Sequence, residues 1–311
     1  MRAYVGVTDD KWFRFLASRP GITEVNFWRP RDTRLFSSLS PGEPFIFKTR
    51  ARAGNLLVGG GFFESHVVLR ISESWDFFGE GNGVASLDDL REQLSTLRGQ
   101  PLARGEDPQI GCILLRDVSF VPADARAPAP PSFSGNVVQG RSYEVPGEDV
   151  VIDSFFQLML GHAMPQVENR PGATAVGGPV FGDPRLVPTR LGQGAFRAMV
   201  LDAYAGVCAV TRHKIRPTLE AAHIRPVSEG GENAVANGLL LRSDVHRMFD
   251  RGFVSIDPDY RLRVSPSLRS QFGNGDEFYE REGSVIVMPR EEQLRPGRDL
   301  LEWHLQEKFI A

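Results

Sequence analysis

Residues 122–149, PADARAPAPPSFSGNVVQGRSYEVPGED, constrain the architecture more than any other stretch. Pro, Ala, Gly and Ser dominate them and no apolar period is sustained, which is the pattern of an extended linker. A second Gly/Pro-rich stretch covers residues 170–188. The chain's 311 residues suffice for two domains that each bury a core. The expected division is a first domain over residues 1–125, a linker over 126–189, and a second domain over 190–311. Within the linker, DVVIDSFFQLMLGHAM reads as a short apolar helix.

Composition narrows the classes of function. Hydrophobic residues make up 41% and charged residues 24%, ordinary for a soluble globular protein. No apolar run approaches the roughly 20 residues that span a bilayer. The start, MRAYVGVTDDKW, lacks the core of a signal peptide. The expectation is a cytoplasmic protein with no membrane partner. Two cysteines, Cys112 and Cys208, exclude a disulfide framework or a four-Cys zinc site within one chain. A net charge of −3 does not suit a protein that coats DNA. Charge is uneven, however: residues 185–275 hold 13 Lys and Arg against 8 Asp and Glu, and residues 26–60 hold 6 against 2. Such local basic regions fit focused phosphate contacts. Taken alone, they better fit arginines solvated on an ordinary surface.

The first 125 residues are strand-rich. AYVGV opens as a strand, Thr8 or Asp9 can cap a helix over KWFRFLAS, and Pro20-Gly21 ends it. VNFW, PFIFKT, LLVGGGFFESHVVLRI and IGCILLRDVSFV read as strands, being rich in Val, Ile and Phe. SLDDLREQLSTL places apolar residues at 87, 90, 94 and 97, one face of a helix. In the second domain RLGQGAFRAMVLDAYAG reads as a helix burying Ala195, Phe196, Met199, Val200, Ala203 and Tyr204, ended by Gly206. FVSIDPDYRLRVS reads as a hairpin, and RDLLEWHLQEKF as a packing helix with Leu301, Leu305 and Phe309 in register.

The chemistry lies in residues 218–250, TLEAAHIRPVSEGGENAVANGLLLRSDVHRMFD. His223 ends an apolar run, a Gly-rich loop closes at Asn237, and GLLL leads into a helix that Ser243 can cap. His246 and Asp250 then stand at i and i+4 on one helix face, within reach of one cation. An imidazole and a carboxylate suit Mg²⁺ or Mn²⁺. Cleaving a phosphodiester needs an activated water and a cation for the developing charge. An imidazole titrates near neutrality and suits the role of base. Arg225, Arg242, Arg247 and Arg251 flank the stretch, and one or two of them can contact phosphates. Singly, each residue favours a bland reading: a core histidine, or a surface pair at i,i+4. Their order together shifts the balance.

The order His223, Asn237, His246 resembles the HNH, or ββα-metal, nuclease motif, and AHIRP resembles that family's histidine-isoleucine-x-proline. The resemblance implies His223 as general base, Asn237 as the residue holding the loop and orienting that base, and His246 as ligand of a single divalent metal. Asp250 stands where many members have a final His. The residue before the base, a ligand in many members, is Ala222 here. Side chains alternate along a strand, so Glu220 shares that face and can supply the carboxylate, directly or through water. The zinc-binding cysteine pairs of some members are absent, and Cys208 stands where one would begin. No structural zinc is expected.

In the first domain, Leu39-Ser40-Pro41-Gly42, Phe45-Ile46-Phe47 and Gly59-Gly60-Gly61-Phe62-Phe63 resemble the turn, apolar strand and glycine-led strand of PUA-like β-barrels, particularly the EVE and related modified-base readers. Reading a flipped base needs an aromatic-walled pocket and polar groups for the base edge. Asn26, Phe27, Trp28, Phe62 and Trp75 are the candidates, with Arg29, Arg31 and Lys48 near the phosphates. The competing reading places these aromatics in the barrel core.

The expected fold is therefore α+β: a PUA-like β-barrel joined by a Pro/Gly-rich linker to a C-terminal ββα-metal (HNH) nuclease domain. The expected function is a modification-dependent restriction endonuclease acting on double-stranded DNA that carries 5-methylcytosine or 5-hydroxymethylcytosine. A homodimer would explain cutting of both strands. Two readings stay open beside it. One is a nuclease for unmodified or structured DNA. The other, kept alive by Ala222, is a DNA-binding protein with a degenerate HNH fold and no catalysis.

Overall fold

The structure is a computed structural model that describes residues 1–31, 36–133, 137, 139–168 and 192–311. The chain divides into two compact units, Met1–Thr189 and Arg190–Ala311.

The first unit runs β1 (Arg2–Val7), α1 (Asp10–Ala17), β2 (Val25–Arg29), β3 (Pro44–Lys48), β4 (Leu56–Arg70), α2 (Ile71–Phe78), α3 (Leu87–Arg98), β5 (Gln109–Phe120), β6 (Ala127–Pro128), β7 (Gly140–Glu144) and α4 (Val150–Glu168). Local chemistry sets several boundaries. Asp9 caps α1 by accepting from Lys11 N at 2.9 Å, and Ser86 caps α3 by accepting from Asp89 N. The strands form one sheet in the order β2-β5-β4-β3-β1-β7, with β6 added beside β4. Strands β1 and β3 pair in parallel, and the other pairs are antiparallel. This path has two ends, and among the described residues no ladder joins β2 to β7. Among the described residues the strands thus form an open mixed sheet, and the expected PUA-like β-barrel is not found as a closed barrel.

The sheet is covered on both faces. Strand β3, PFIFK, is buried throughout, which explains its unbroken apolar run. Phe45 and Phe47 join one core with Trp12, Phe13 and Leu16 of α1. Ile46 joins the other with Tyr143 of β7 and Ile152, Phe155, Phe156 and Met159 of α4. Residues expected as linker therefore complete this unit. Tyr143 pairs with Ala3, and Gly60 makes room for α4. A Cβ on Gly60 would lie 2.4 Å from Met159 Cε and 2.5 Å from Phe45 O. A five-residue edge strand is too short to show a period against its Pro- and Gly-rich flanks. Residues 170–188 of the linker reading lie outside the described residues.

The second unit runs α5 (Gln193–Ala203), β8 (Leu219–His223), β9 (Gly238–Arg242), α6 (Ser243–Asp250), β10 (Val254–Ile256), β11 (Leu262–Val264), α7 (Pro266–Phe272), α8 (Asp276–Tyr279) and α9 (Arg298–Glu307). Strands β8 and β9 form an antiparallel hairpin that pairs His223 with Gly238 and Leu219 with Arg242. Helix α6 starts directly after β9. Arg242, not Ser243, occupies the cap position, and no side chain caps this helix. Helix α5 buries Ala195, Phe196, Val200 and Leu201. Among the described residues no helix is long and apolar enough to cross a membrane.

Candidate active site in the C-terminal unit

The loop between β8 and β9 is built around the Asn237 side chain, which is 2% exposed. Its Nδ2 donates to Arg225 O at 2.9 Å and Glu232 O at 2.8 Å, and its Oδ1 accepts from Arg225 N at 2.9 Å. One amide thus ties the chain just after His223 to the far side of the loop. Gly231 is required by the closure: a Cβ there would fall 1.9 Å from Arg225 O. Asn237 acts on His223 only through this backbone.

The His223 ring is held by two residues outside the His–Asn–His pattern. Phe196 of α5 stacks on it, with centroids 4.1 Å apart and planes at 10°. Asn233 Oδ1 lies 2.8 Å from Nε2. An amide oxygen only accepts, so the proton sits on Nε2 and the lone pair is on Nδ1. Gly238 leaves room for α5 beside the hairpin, because a Cβ there would meet Val200 Cγ2 at 2.6 Å and Phe196 Cε2 at 3.1 Å. Asn233 is visible in the sequence only as a second Asn in the loop, and Phe196 only as one apolar residue of a helix.

His246 of α6 lies between two carboxylates. Its Nδ1 is 2.7 Å from Glu220 Oε2, and its Nε2 is 3.4 Å from Asp250 Oδ2. His223, His246 and Asp250 line one cleft of about 480 Å³, with Gln193, Glu229 and Lys308 on its other walls. Lys308, from the end of α9, bonds Glu229 at 2.6 Å. Sequence reasoning missed this wall because it comes from about 80 residues downstream of the loop.

Residues 208–257 match the family described as HNH endonuclease. This segment is an HNH endonuclease domain. No curated protein matches the chain. Two solved structures overlap parts of it. The modification-dependent TagI restriction endonuclease is 20% identical over 35% of this chain and 36% of its own, with a TM-score of 0.26. The chain therefore spans about a third of that enzyme's length. The Zymomonas mobilis protein ZmASCH, in a mutant form, is 15% identical over 51% of this chain and 97% of its own, with a TM-score of 0.29.

The HNH domain's donors can be tested against a divalent cation. Two donors that share such an ion at about 2.1 Å each stand roughly 3.0–3.4 Å apart. His246 Nε2 and Asp250 Oδ2, at 3.4 Å, meet that spacing. Among the described residues no set of three or more His, Cys, Asp and Glu side chains converges as a metal cluster. A two-donor site fits ions that keep waters and take oxygen from a phosphate. Glu220 does not converge with the pair, since it occupies the opposite edge of the His246 ring. The expectation of Glu220 as a ligand at the same ion is corrected accordingly.

Cys208, where a zinc pair would begin, is fully buried and bonds locally. Its Sγ accepts from Thr211 N at 3.4 Å and Arg242 N at 3.3 Å. The four arginines divide. Arg225 donates to Glu229 O and lies over the Trp303 ring. Arg242 is bound by both oxygens of Asp244 and by Glu277, and the Asp244 hydrogen bond, its largest influence, raises its pKa. Arg247 of α6 and Arg251, which caps its C-terminal end, are exposed and one turn apart. His304 of α9 supports the cleft from beneath. It is 2% exposed, stacks on Phe249 at 3.6 Å, and bonds Ser255 Oγ and Phe249 O. Burial lowers its pKa to about 4.

In the first unit the five expected pocket residues do not converge. Phe27 and Trp28 line a cavity of about 220 Å³ with Trp12, Arg29, Arg50 and Gln93. Asn26 is fully buried instead, its Nδ2 donating to Ser74 Oγ, Asn82 Oδ1 and Cys112 Sγ. Phe62 packs with the opposite core and under Arg116. Trp75 is a half-buried residue of α2 that lines neither this cavity nor its neighbour. Lys48 is also buried, donating to Thr49 O, and burial lowers its pKa. Gln93, unmarked in the sequence, lines both this cavity and a neighbouring one of about 470 Å³, and its buried Oε1 has no hydrogen-bond partner among the described residues.

Proposed function

We propose that the chain is a DNA endonuclease whose C-terminal unit hydrolyses phosphodiester bonds and whose first unit recognises a modified base. The observation that carries the nuclease reading is the cleft shared by His223, His246 and Asp250 within an HNH domain. His223 Nδ1 takes the proton of a water that attacks phosphorus, while Asn233 and Phe196 hold the ring still. The new P–O bond forms as the bond to the leaving sugar oxygen breaks, and that oxygen takes up a proton. His246 Nε2 and Asp250 would hold a divalent cation, Mg²⁺ or Mn²⁺, which would supply positive charge to the phosphate oxygens. Asn237 keeps the loop, and hence His223, in place. Arg247 and Arg251 are the phosphate-contacting arginines, being exposed.

Base recognition is assigned to the cavity beside Trp28. Its aromatic wall and two arginines have the character that stacking and polar contacts to a nucleotide need. Modified cytosine in double-stranded DNA is the proposed substrate. The test is digestion of plasmids with and without 5-methylcytosine or 5-hydroxymethylcytosine, with Mg²⁺ and Mn²⁺, by the wild type and by His223→Ala. Preferential cutting of modified plasmid, lost in the variant, is the expected result. Equal cutting of all plasmids favours the second reading, a nuclease for unmodified DNA, which the burial of Asn26 in a side-chain network keeps open.

A further inference from the structure

We propose that Glu220 is a positioning residue that fixes the tautomer and orientation of His246 from outside the metal's coordination sphere. The inference rests on the reading of His246 Nε2 and Asp250 as the cation's donors. The 2.7 Å separation of His246 Nδ1 and Glu220 Oε2 is that of a charge-assisted hydrogen bond. A carboxylate only accepts, so Nδ1 carries a proton, and in the neutral ring the lone pair is then on Nε2. That lone pair lies on the edge facing Asp250, 3.4 Å away. The two nitrogens point away from each other across the ring. Glu220 therefore cannot reach an ion held at Nε2 unless the ring turns over.

The fold places Glu220 in this position. Glu220 pairs with Leu241, one step before β9 gives way to α6. His246 sits in the first turns of that helix, and helical side chains tilt toward the N-terminus. The imidazole is thus laid back onto the rim of β8, where Glu220 stands. Ala222, two residues on, is fully buried and pairs with Leu239, so no carboxylate occupies the position next to His223. The acidic residue of this strand serves the histidine ligand rather than the ion. A carboxylate behind a metal-binding histidine fixes its tautomer and rotation, and loss of such partners weakens metal affinity about 10–100-fold.

The test uses the full chain with Mn²⁺ alone, titrated by calorimetry, and ring ¹⁵N spectra of histidine-labelled, metal-free protein. Glu220→Ala should weaken Mn²⁺ binding about 10–100-fold. Glu220→Gln keeps an acceptor for Nδ1–H and should stay within about threefold of wild type. Asp250→Ala should lose at least as much as Glu220→Ala. In the metal-free protein His246 should be a single Nδ1–H tautomer in the wild type and in Glu220→Gln, and a mixture in Glu220→Ala. Wild-type affinity and an unchanged tautomer in Glu220→Ala would reduce the contact to a surface pair and overturn the proposal. A Glu220→Gln loss as deep as that of Asp250→Ala would make Glu220 a direct ligand and also overturn it. A wild type that binds no Mn²⁺ overturns the underlying cation reading. That result is distinct from a wild type that binds through Asp250 and ignores Glu220.

Discussion

The two units treat their chemistry-bearing residues in opposite ways. In the C-terminal unit, His223, His246 and Asp250 end up on the walls of one cleft, and both imidazoles are gripped on a second nitrogen. In the first unit, Asn26, Phe27, Trp28, Phe62 and Trp75 go to different places: a buried network, a cavity wall, the opposite core and a helix. The difference follows from chain distance. A hairpin and the helix directly after it gather residues within about thirty positions, so their order predicts their meeting. A pocket on a large sheet is assembled from β2, α1 and α3, whose approach depends on the whole fold.

The comparison can be broken most sharply at its stronger end. His223→Ala should slow plasmid nicking with Mg²⁺ or Mn²⁺ by about 10²–10⁴-fold. An unchanged rate would mean that the gathered cleft is not catalytic.

The support beneath the cleft gives the next effect. The folded pKa of His304 is lowered from 6.5 to about 4, so the fold binds the neutral ring. Its stabilisation is present above pH 6.5, falls as the pH drops toward 4, and below that falls no further. The loss should be on the order of 3 kcal/mol and confined to the unfolding of the C-terminal unit. Denaturant melts from pH 7 to pH 4 on the wild type and on His304→Asn check it. The variant should lose this part of the pH dependence.

In the first unit, two neighbouring residues of β2 should separate. Asn26→Ala breaks a buried network and should cost about 2 kcal/mol of stability, leaving the preference among DNA substrates unchanged. Trp28→Ala should remove a stacking surface worth about 1–3 kcal/mol, read as weaker binding of modified duplex relative to unmodified. If Asn26→Ala changes the preference and Trp28→Ala does not, the pocket is elsewhere.

The smallest effects concern the arginines. Arg247→Ala and Arg251→Ala should each reduce the salt dependence of DNA binding by about one unit of slope. Arg242→Ala should leave the slope unchanged and lower stability, since its guanidinium is already held by Asp244 and Glu277. Binding measured across a salt series distinguishes the two groups.

Local order alone determined a good part of this protein. Asp9 and Ser86 start their helices because their side chains reach the first free N–H groups. The strands of the large sheet stand where Val, Ile and Phe concentrate. The His–Asn–His order marks an HNH domain, because those residues lie within one hairpin and one helix. Tertiary structure decided the rest. Residues 126–189 read as a linker with a short helix, yet β7 and α4 within them are drawn into the first unit because the sheet face bearing Ile46 needs Tyr143, Phe155 and Met159 to exclude water. Asn233 and Glu220 acquire their partners only when the loop closes on Asn237 and α6 folds back over β8. A hydrogen bond is fixed by where two atoms meet in space, and for side chains on a loop and a strand rim sequence spacing does not say where that is.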